Sequence, residues 1–274
     1  MKTEHNRAAG ISRLLAIDTS TAMLTVALSI EGELIAERSS MAERNHSIQL
    51  LPEIETLLGE AGLAPSELDA VAVGTGPGSY TGVRIGVTVA KTFAWALGIP
   101  VVGVSGLEAL ALGDSVLTGR DAAAGEEECW FIPLLDARRK QAYCAVYASA
   151  GEVWHTVVKD GIRILEDWLE SLADGIDGRG RDGGIPLRLV FGGETAGFRE
   201  TIESWSSRSV PGVRLDIRAS EIGAASVAKL AWRRLANGDT DDMHGLVPNY
   251  TQLAEAEVKL LLKEKRGGEP FGAN

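Results

Sequence analysis

Between residues 74 and 82 the chain reads Gly-Thr-Gly-Pro-Gly-Ser-Tyr-Thr-Gly. Four glycines and a proline in nine residues belong to no regular element. The run follows a short apolar stretch, Ala70 to Val73, and precedes a long helical one, Val83 to Leu97. The local order is therefore strand, glycine loop, helix. Without Cβ atoms, such a loop lets backbone N–H groups approach an anion or a neighbouring segment closely. No Gly-Lys-Ser/Thr ends it, so it is not a Walker loop, and its glycine spacing differs from that of the dinucleotide fingerprint. Two readings stand, a phosphate cradle and a structural tight turn.

The 274 residues suit two domains or one large one, and 45% hydrophobic content supplies a sizeable core. Lys and Arg number 27 against 38 Asp and Glu, a net charge of −11 with no long basic run. Phosphate contacts need clustered cations, so the chain is not expected to grip nucleic acid by itself. Two cysteines in unrelated contexts, Cys129 and Cys144, form neither a disulfide framework nor a metal site, and suit a reduced cytoplasm. The first ten residues lack the apolar core of a signal peptide, and no apolar run reaches membrane-spanning length.

Three strands are expected at Leu14–Ile17, Leu24–Ile30 and Glu33–Arg38, joined by turns at Asp18–Thr21 and Glu31-Gly32. A helix is expected over His46–Ala61, with Leu50, Leu51, Ile54, Leu57, Leu58 and Ala61 on one face. Strands at Asp69–Val73 and Val101–Val104 flank the loop and the second helix. The order β-β-β-α-β-α-β is that of a ribonuclease-H-like α/β fold. Leu112–Glu128 reads as a linker, which places a domain boundary between residues 112 and 113. The second half restarts with strands at Trp130–Asp136, Gln141–Ala148 and Glu152–Val158, and a short amphipathic helix around Trp168. Asp174–Gly184 reads as a mobile connector and Leu187–Phe191 as a buried strand. Ser220 is expected to cap a helix running to Asn237, with Gly238 as its stop, and the tail from Lys263 to fray. The second half thus echoes the first.

The second helix is apolar nearly all round. Gly78, Gly82, Gly86, Ala90 and Ala94 recur at every fourth residue, a smooth strip that another helix can approach closely. Arg84, Thr88 and Lys91 make only a narrow polar stripe. A helix this poor in polar surface is covered on more than one side. The cover is either the first helix, in an ordinary intramolecular pair, or a second protein.

The segments "LLAIDTSTAMLTVALS", "HSIQLLPEIETLL", "AVAVGTGPGSYTGVRIGVTVAKTFAWALGIPVVGVSGLEALA" and "LLDARRKQAYCAVY", with "VPNYTQLAEAE" near the end, resemble the TsaB (YeaZ) family. The resemblance implies the fold of acetate and sugar kinases, Hsp70 and actin (ASKHA), two ribonuclease-H-like lobes with mixed sheets. It implies a cytoplasmic place in the bacterial machinery that puts N6-threonylcarbamoyl on adenosine 37 of tRNAs reading ANN codons. In that machinery TsaB is the non-catalytic partner of TsaD, with the ATPase TsaE as a third component, and tRNA is met through the complex. ATP or ADP at the complex interface is implied, with no cofactor in the isolated chain. The catalytic paralogue follows its glycine block with Val-Asn-His-Leu-Glu-Gly-His, whose histidines hold a metal. Here Gly106 and Leu110 stand at those positions, and neither ligates a metal. His5, His46, His155 and His244 show no metal spacing, so neither a metal site nor a catalytic residue is expected.

The partner face is expected on the two helices. It would use His46, Leu50 and Ile54 on the first, and Tyr80, Val83, Arg84, Gly86, Val87, Ala90, Lys91 and Ala94 on the second. The same surface would serve a homodimer of the chain alone, because an isologous contact needs only self-complementarity. Asp18, Thr19 and Ser20 with Gly76 and Gly78 are candidates for a residual nucleotide contact, against an Asx turn that satisfies its own backbone. Asp136-Ala137-Arg138-Arg139 stands where kinases of this fold keep a metal-binding Asp, or is a solvated β-turn. Glu108 is a candidate base without an accompanying nucleophile or oxyanion site. The six tryptophans read as helical core residues. An autonomous phosphotransferase, with Gly192-Gly193-Glu194-Thr195 as a thin adenosine loop, and a peptidase remain the competing readings.

Overall fold

The computed structural model describes residues 10–42, 45–118, 128–150, 153–180 and 187–250. The first half runs β1 (Arg13–Asp18), β2 (Met23–Ile30), β3 (Glu33–Met41), α1 (His46–Glu60), β4 (Ala70–Gly74), α2 (Tyr80–Leu97), β5 (Val101–Val104) and α3 (Gly106–Leu117). The second runs β6 (Glu128–Asp136), β7 (Gln141–Ala150), β8 (Val153–Ile164), α4 (Leu165–Gly180), β9 (Leu187–Gly193), α5 (Arg199–Ser209), β10 (Arg214–Ile217) and α6 (Ala224–Ala236).

The strands form two five-stranded sheets, β3-β2-β1-β4-β5 and β10-β9-β6-β7-β8. Read from the other edge, the second sheet repeats the order of the first. The pairings repeat too. β1 pairs antiparallel with β2 and parallel with β4, as β6 does with β7 and β9. The echo between the halves is thus one ribonuclease-H-like topology used twice, which is the ASKHA architecture.

Alternation along β1 and β4 explains the layering. Leu15, Ile17, Val71 and Val73 face one way, into a core shared with α1 and α2. Leu14, Ala16, Ala70 and Ala72 face the other, into a core shared with α3, α6 and the second sheet. Both faces of the first sheet are covered, so its central strands read as continuous apolar runs. A third core lies between the far face of the second sheet and α4 and α5. Helix α6 packs on the first sheet, where Trp232 Nε1 donates to Ser29 Oγ at 2.8 Å. The chain then bridges back to β5 at Asp241.

Several expectations need correction. The expected linker at Leu112–Glu128 begins inside α3, because Leu112, Asp114 and Ser115 are buried there and the helix continues to Leu117. Helix α4 extends to Gly180, through the first part of the expected mobile connector. Ser220 does not cap the last helix: α6 starts at Ala224 with Gly223 as its N-cap. Trp130 and Trp154 lie on strands, and Trp95 is 71% exposed rather than core. Helices α3 and α5 and strand β10 were not among the expected elements. The first nine residues, with His5, and the tail from Lys263 lie outside the described residues.

Candidate partner-binding face and inter-lobe cleft

The glycine loop acts as a packing device. Gly78 and Gly82 let it lie directly on the β1–β2 turn, since a Cβ at either would collide with a carbonyl oxygen of Ser20 or Thr19. Ser79 N donates to Ser20 O at 2.6 Å, and Thr19 Oγ1 donates to Gly82 O at 2.8 Å. Gly106 N donates to Gly76 O at 2.8 Å, tying the loop to the start of α3. Ser79 caps α2 through Gly82 N. These bonds favour the tight-turn reading.

The candidate nucleotide residues divide. Ser20 and Gly78 line an inter-lobe cleft of about 870 Å³, together with Ser79, His46, Asp136 and Arg138. Asp18 and Thr19 are buried beside it. Asp18 Oδ1 accepts from Ser20 N at 2.9 Å and Ser20 Oγ at 2.8 Å. Asp18 Oδ2 is sealed against Gly74 and has no hydrogen-bond partner. Burial pushes this carboxyl up to about 6. On the opposite lobe, Asp136 N donates to Glu194 Oε2 at 2.7 Å and Asp136 Oδ1 accepts from Arg138 N at 2.8 Å. Gly193 N is taken by Ser220 Oγ at 2.7 Å. Asp18 is thus turned inward, and the backbone N–H groups of Asp136 and Gly193 are hydrogen-bonded within the chain.

Gly106 and Leu110 are both buried on α3. Leu110 belongs to the core between the sheets. Nearby, Trp154 Nε1 donates to Glu108 at 3.1 Å, and burial raises the Glu108 carboxyl. Among the described residues no group of three His, Cys, Asp or Glu side chains is placed to hold a metal.

The two helices carry four of the exposed large apolar side chains among the described residues; others lie on β3, α3, β8 and residues 247–250. Ile48 is 71% exposed, Leu51 54%, Tyr80 49% and Trp95 71%. Between α1 and α2 lies a groove of about 400 Å³, lined by Leu50, Leu51, Ile85, Val89, Tyr80 and Arg84 among others. A second groove, about 630 Å³, lies on the other side of α2 against residues 243–250, with Trp95, Lys91 and Arg84 on its walls.

The expected interface residues are only partly on this face. Tyr80 and Arg84 are exposed and Lys91 half-exposed, while Leu50 reaches one groove from below and His46 lines the cleft. Ile54, Val83, Gly86, Val87, Ala90 and Ala94 face the chain's own core. The glycines of the small-residue strip therefore pack inward, on the β1–β2 turn and on Val73, and Ala90 and Ala94 are buried with them. Leu51 leaves the buried face expected of it. Ile48, Leu51, Thr88 and Trp95 take the outward positions, and a surplus of apolar residues off the core-facing stripe was the available signal.

The strap of residues 239–250 completes the face. Arg84 Nε donates to the Tyr250 hydroxyl at 2.9 Å, and the Arg84 guanidinium lies 4.2 Å from the Tyr80 ring centroid. Tyr80 and Tyr250 rings are 5.5 Å apart. Lys91 Nζ donates to Leu246 O at 3.0 Å, and Asn249 N to Thr75 O at 2.7 Å.

Two lobes of one repeated topology, with both faces of the first sheet covered, define an ASKHA-type protein. Residues 35–260 match the model of the family described as TsaD: tRNA N6-adenosine threonylcarbamoyltransferase. A Bacillus subtilis (strain 168) protein, tRNA threonylcarbamoyladenosine biosynthesis protein TsaB, is 37% identical over 92% of this chain and 99% of its own length. The Escherichia coli (strain K12) protein of the same name is 34% identical over 52% of this chain and 58% of its own. Among solved structures, YeaZ from Pseudomonas aeruginosa superposes with a TM-score of 0.65 at 27% identity, covering 88% of this chain and all of that one. The chain therefore belongs to the family that this model describes and, within it, to the TsaB proteins.

Proposed function

We propose that the chain is the non-catalytic partner subunit of a TsaD-type transferase, in the bacterial machinery that forms N6-threonylcarbamoyladenosine at position 37 of tRNA. The observation that carries this is the outer face of α1 and α2, where Ile48, Leu51, Tyr80 and Trp95 stand exposed around two grooves. Singly exposed apolar residues are ordinary, but a cluster on adjacent helices marks an interaction surface. Support for a non-catalytic role comes from Gly106 and Leu110, which occupy core where the paralogue's metal ligands would stand. The sealed Asp18 speaks against an autonomous phosphotransferase. A nucleotide would be held jointly with the partner, and tRNA through it, since this chain carries a net charge of −11.

The test is titration of the purified chain with its cognate TsaD, by calorimetry and size exclusion. Trp95→Glu places a charge on the outer face without touching the core. We expect unchanged melting and at least a hundredfold weaker association, the effect of losing a central aromatic anchor. Unchanged affinity in the folded variant would move the interface elsewhere.

A further inference from the structure

Where a chain needs a residue at positive φ it usually supplies glycine, asparagine or aspartate, since a larger side chain crowds its own backbone there. This chain does so with Gly32, Gly62, Gly98 and Gly238. The tip of the β6–β7 hairpin departs from that habit. Arg138, Arg139 and Lys140 stand in succession at φ 67°, 54° and 63°. Backbone bonds close this turn: Ala137 N donates to Gln141 O at 3.0 Å and Gln141 N to Arg138 O at 2.9 Å. All three basic residues are exposed. Arg138 Nη1 lies 3.4 Å from Asp136 Oδ2, on a side chain 86% exposed. Among the described residues no carboxylate pairs with Arg139 or Lys140. Asparagine or glycine would close the hairpin with less strain, so three cations held there against that preference serve something outside it.

The surroundings point to an anion. Arg138 shares the inter-lobe cleft with His46 and Tyr80, the first residues of α1 and α2. Helix N-termini carry partial positive charge, and neither helix has an acidic residue in its first turn. The carboxylates on the cleft wall, Asp136 and Glu194, accept hydrogen bonds from Arg138 N and Asp136 N. A chain of net charge −11 thus gathers positive potential at this mouth. We propose that the β6–β7 tip, through Arg139 and Lys140 foremost, contacts the phosphodiester backbone of RNA when the chain stands in its complex. RNA presents its charges in a row, and a short row of cations meets them with release of counterions. Two or three such contacts are too few for an independent grip, in keeping with the acidic composition. They suffice to add to the hold of a larger assembly. The tip and the starts of α1 and α2 border one cleft, so the assignment of RNA rests on the reading of those helices as the face for a tRNA-modifying partner.

The probe is an unmodified tRNA transcript, titrated at several salt concentrations with the full chain in complex with cognate TsaD, and with the full chain alone in low salt. The variant Arg139→Asn, Lys140→Asn removes both charges and suits the positive φ. We expect its melting temperature to equal or exceed the parent's and its tRNA affinity to fall about tenfold at low salt. The slope of log K against log salt should become shallower by about 1.4–1.8, the share of two phosphates. The chain alone should show the same change at much weaker affinity, and Arg139→Lys should keep both affinity and slope. A lower melting temperature in the double variant would mean that the cations serve the hairpin, and no difference from the parent in either arm would mean that no phosphate is met. Weaker TsaD association with unchanged tRNA binding would assign the tip to an acidic protein surface. Each of these outcomes overturns the proposal. A slope change in the chain alone, in a preparation that does not associate with TsaD, would uphold the tip contact and sink the subunit reading.

Discussion

Asp18, a candidate for a nucleotide contact in the sequence, is built into the turn: one oxygen serves Ser20 and the other is closed in against Gly74. Burial holds the folded-state pKa at about 6, above the ordinary 3.8. Between about pH 4 and 6 the native state keeps a proton that the unfolded chain has released, so this group's contribution to stability is lost as pH rises and regained on acidification. From pH 7 to pH 5 the linkage relation gives added stability on the order of 1 kcal/mol. Urea unfolding of the parent chain and of Asp18→Asn at both pH values checks this. The parent should gain about that much relative to the variant, and parallel pH profiles would contradict it.

Helix α2 separates what a sequence can and cannot reveal about an element. Its existence, its approximate bounds and its lack of polar surface were all legible from the run after the glycine loop. Which side faced inward was not. The four-residue recurrence of Gly82, Gly86, Ala90 and Ala94 is the same pattern whether the close neighbour is a partner helix or the chain's own β1–β2 turn. The register that brings Thr19 over Gly82 and Gly86 exists only in three dimensions. The outward residues were obscured for a related reason: Leu51 adjoins Leu50 and reads as core unless the facing strand is known. The strap was legible only as a motif near the end of the chain, because its contacts to Arg84 and Lys91 span more than 150 residues. Gly86→Ala should therefore weaken the fold rather than any association. Its Cβ would lie 2.5 Å from Thr19 Oγ1, and overpacking of this kind costs about 1–3 kcal/mol. Equilibrium unfolding should show that loss, and a variant of full stability that fails to bind TsaD would restore the strip as an interface.

At the scale of the molecule, the duplicated topology puts two similar lobes together and then spends their facing polar groups internally. Ser105 Oγ and the Tyr147 hydroxyl each donate to Asp160 at 2.7 Å, and Asn249 Nδ2 adds a third bond at 3.2 Å. These contacts join α3, the second sheet and the strap. The inter-lobe side is thereby stapled, while Ile48, Leu51, Tyr80 and Trp95 stand exposed on the opposite layer, over α1 and α2. If the TsaD-type partner sits on this layer, hydrogen–deuterium exchange of the full chain with and without cognate TsaD will show it. Protection on binding should concentrate in residues 46–60 and 80–97 and in the adjoining strap, with α4 and α5 unchanged. Protection centred on the second sheet and its helices, or none at all in a mixture that co-elutes, would contradict it.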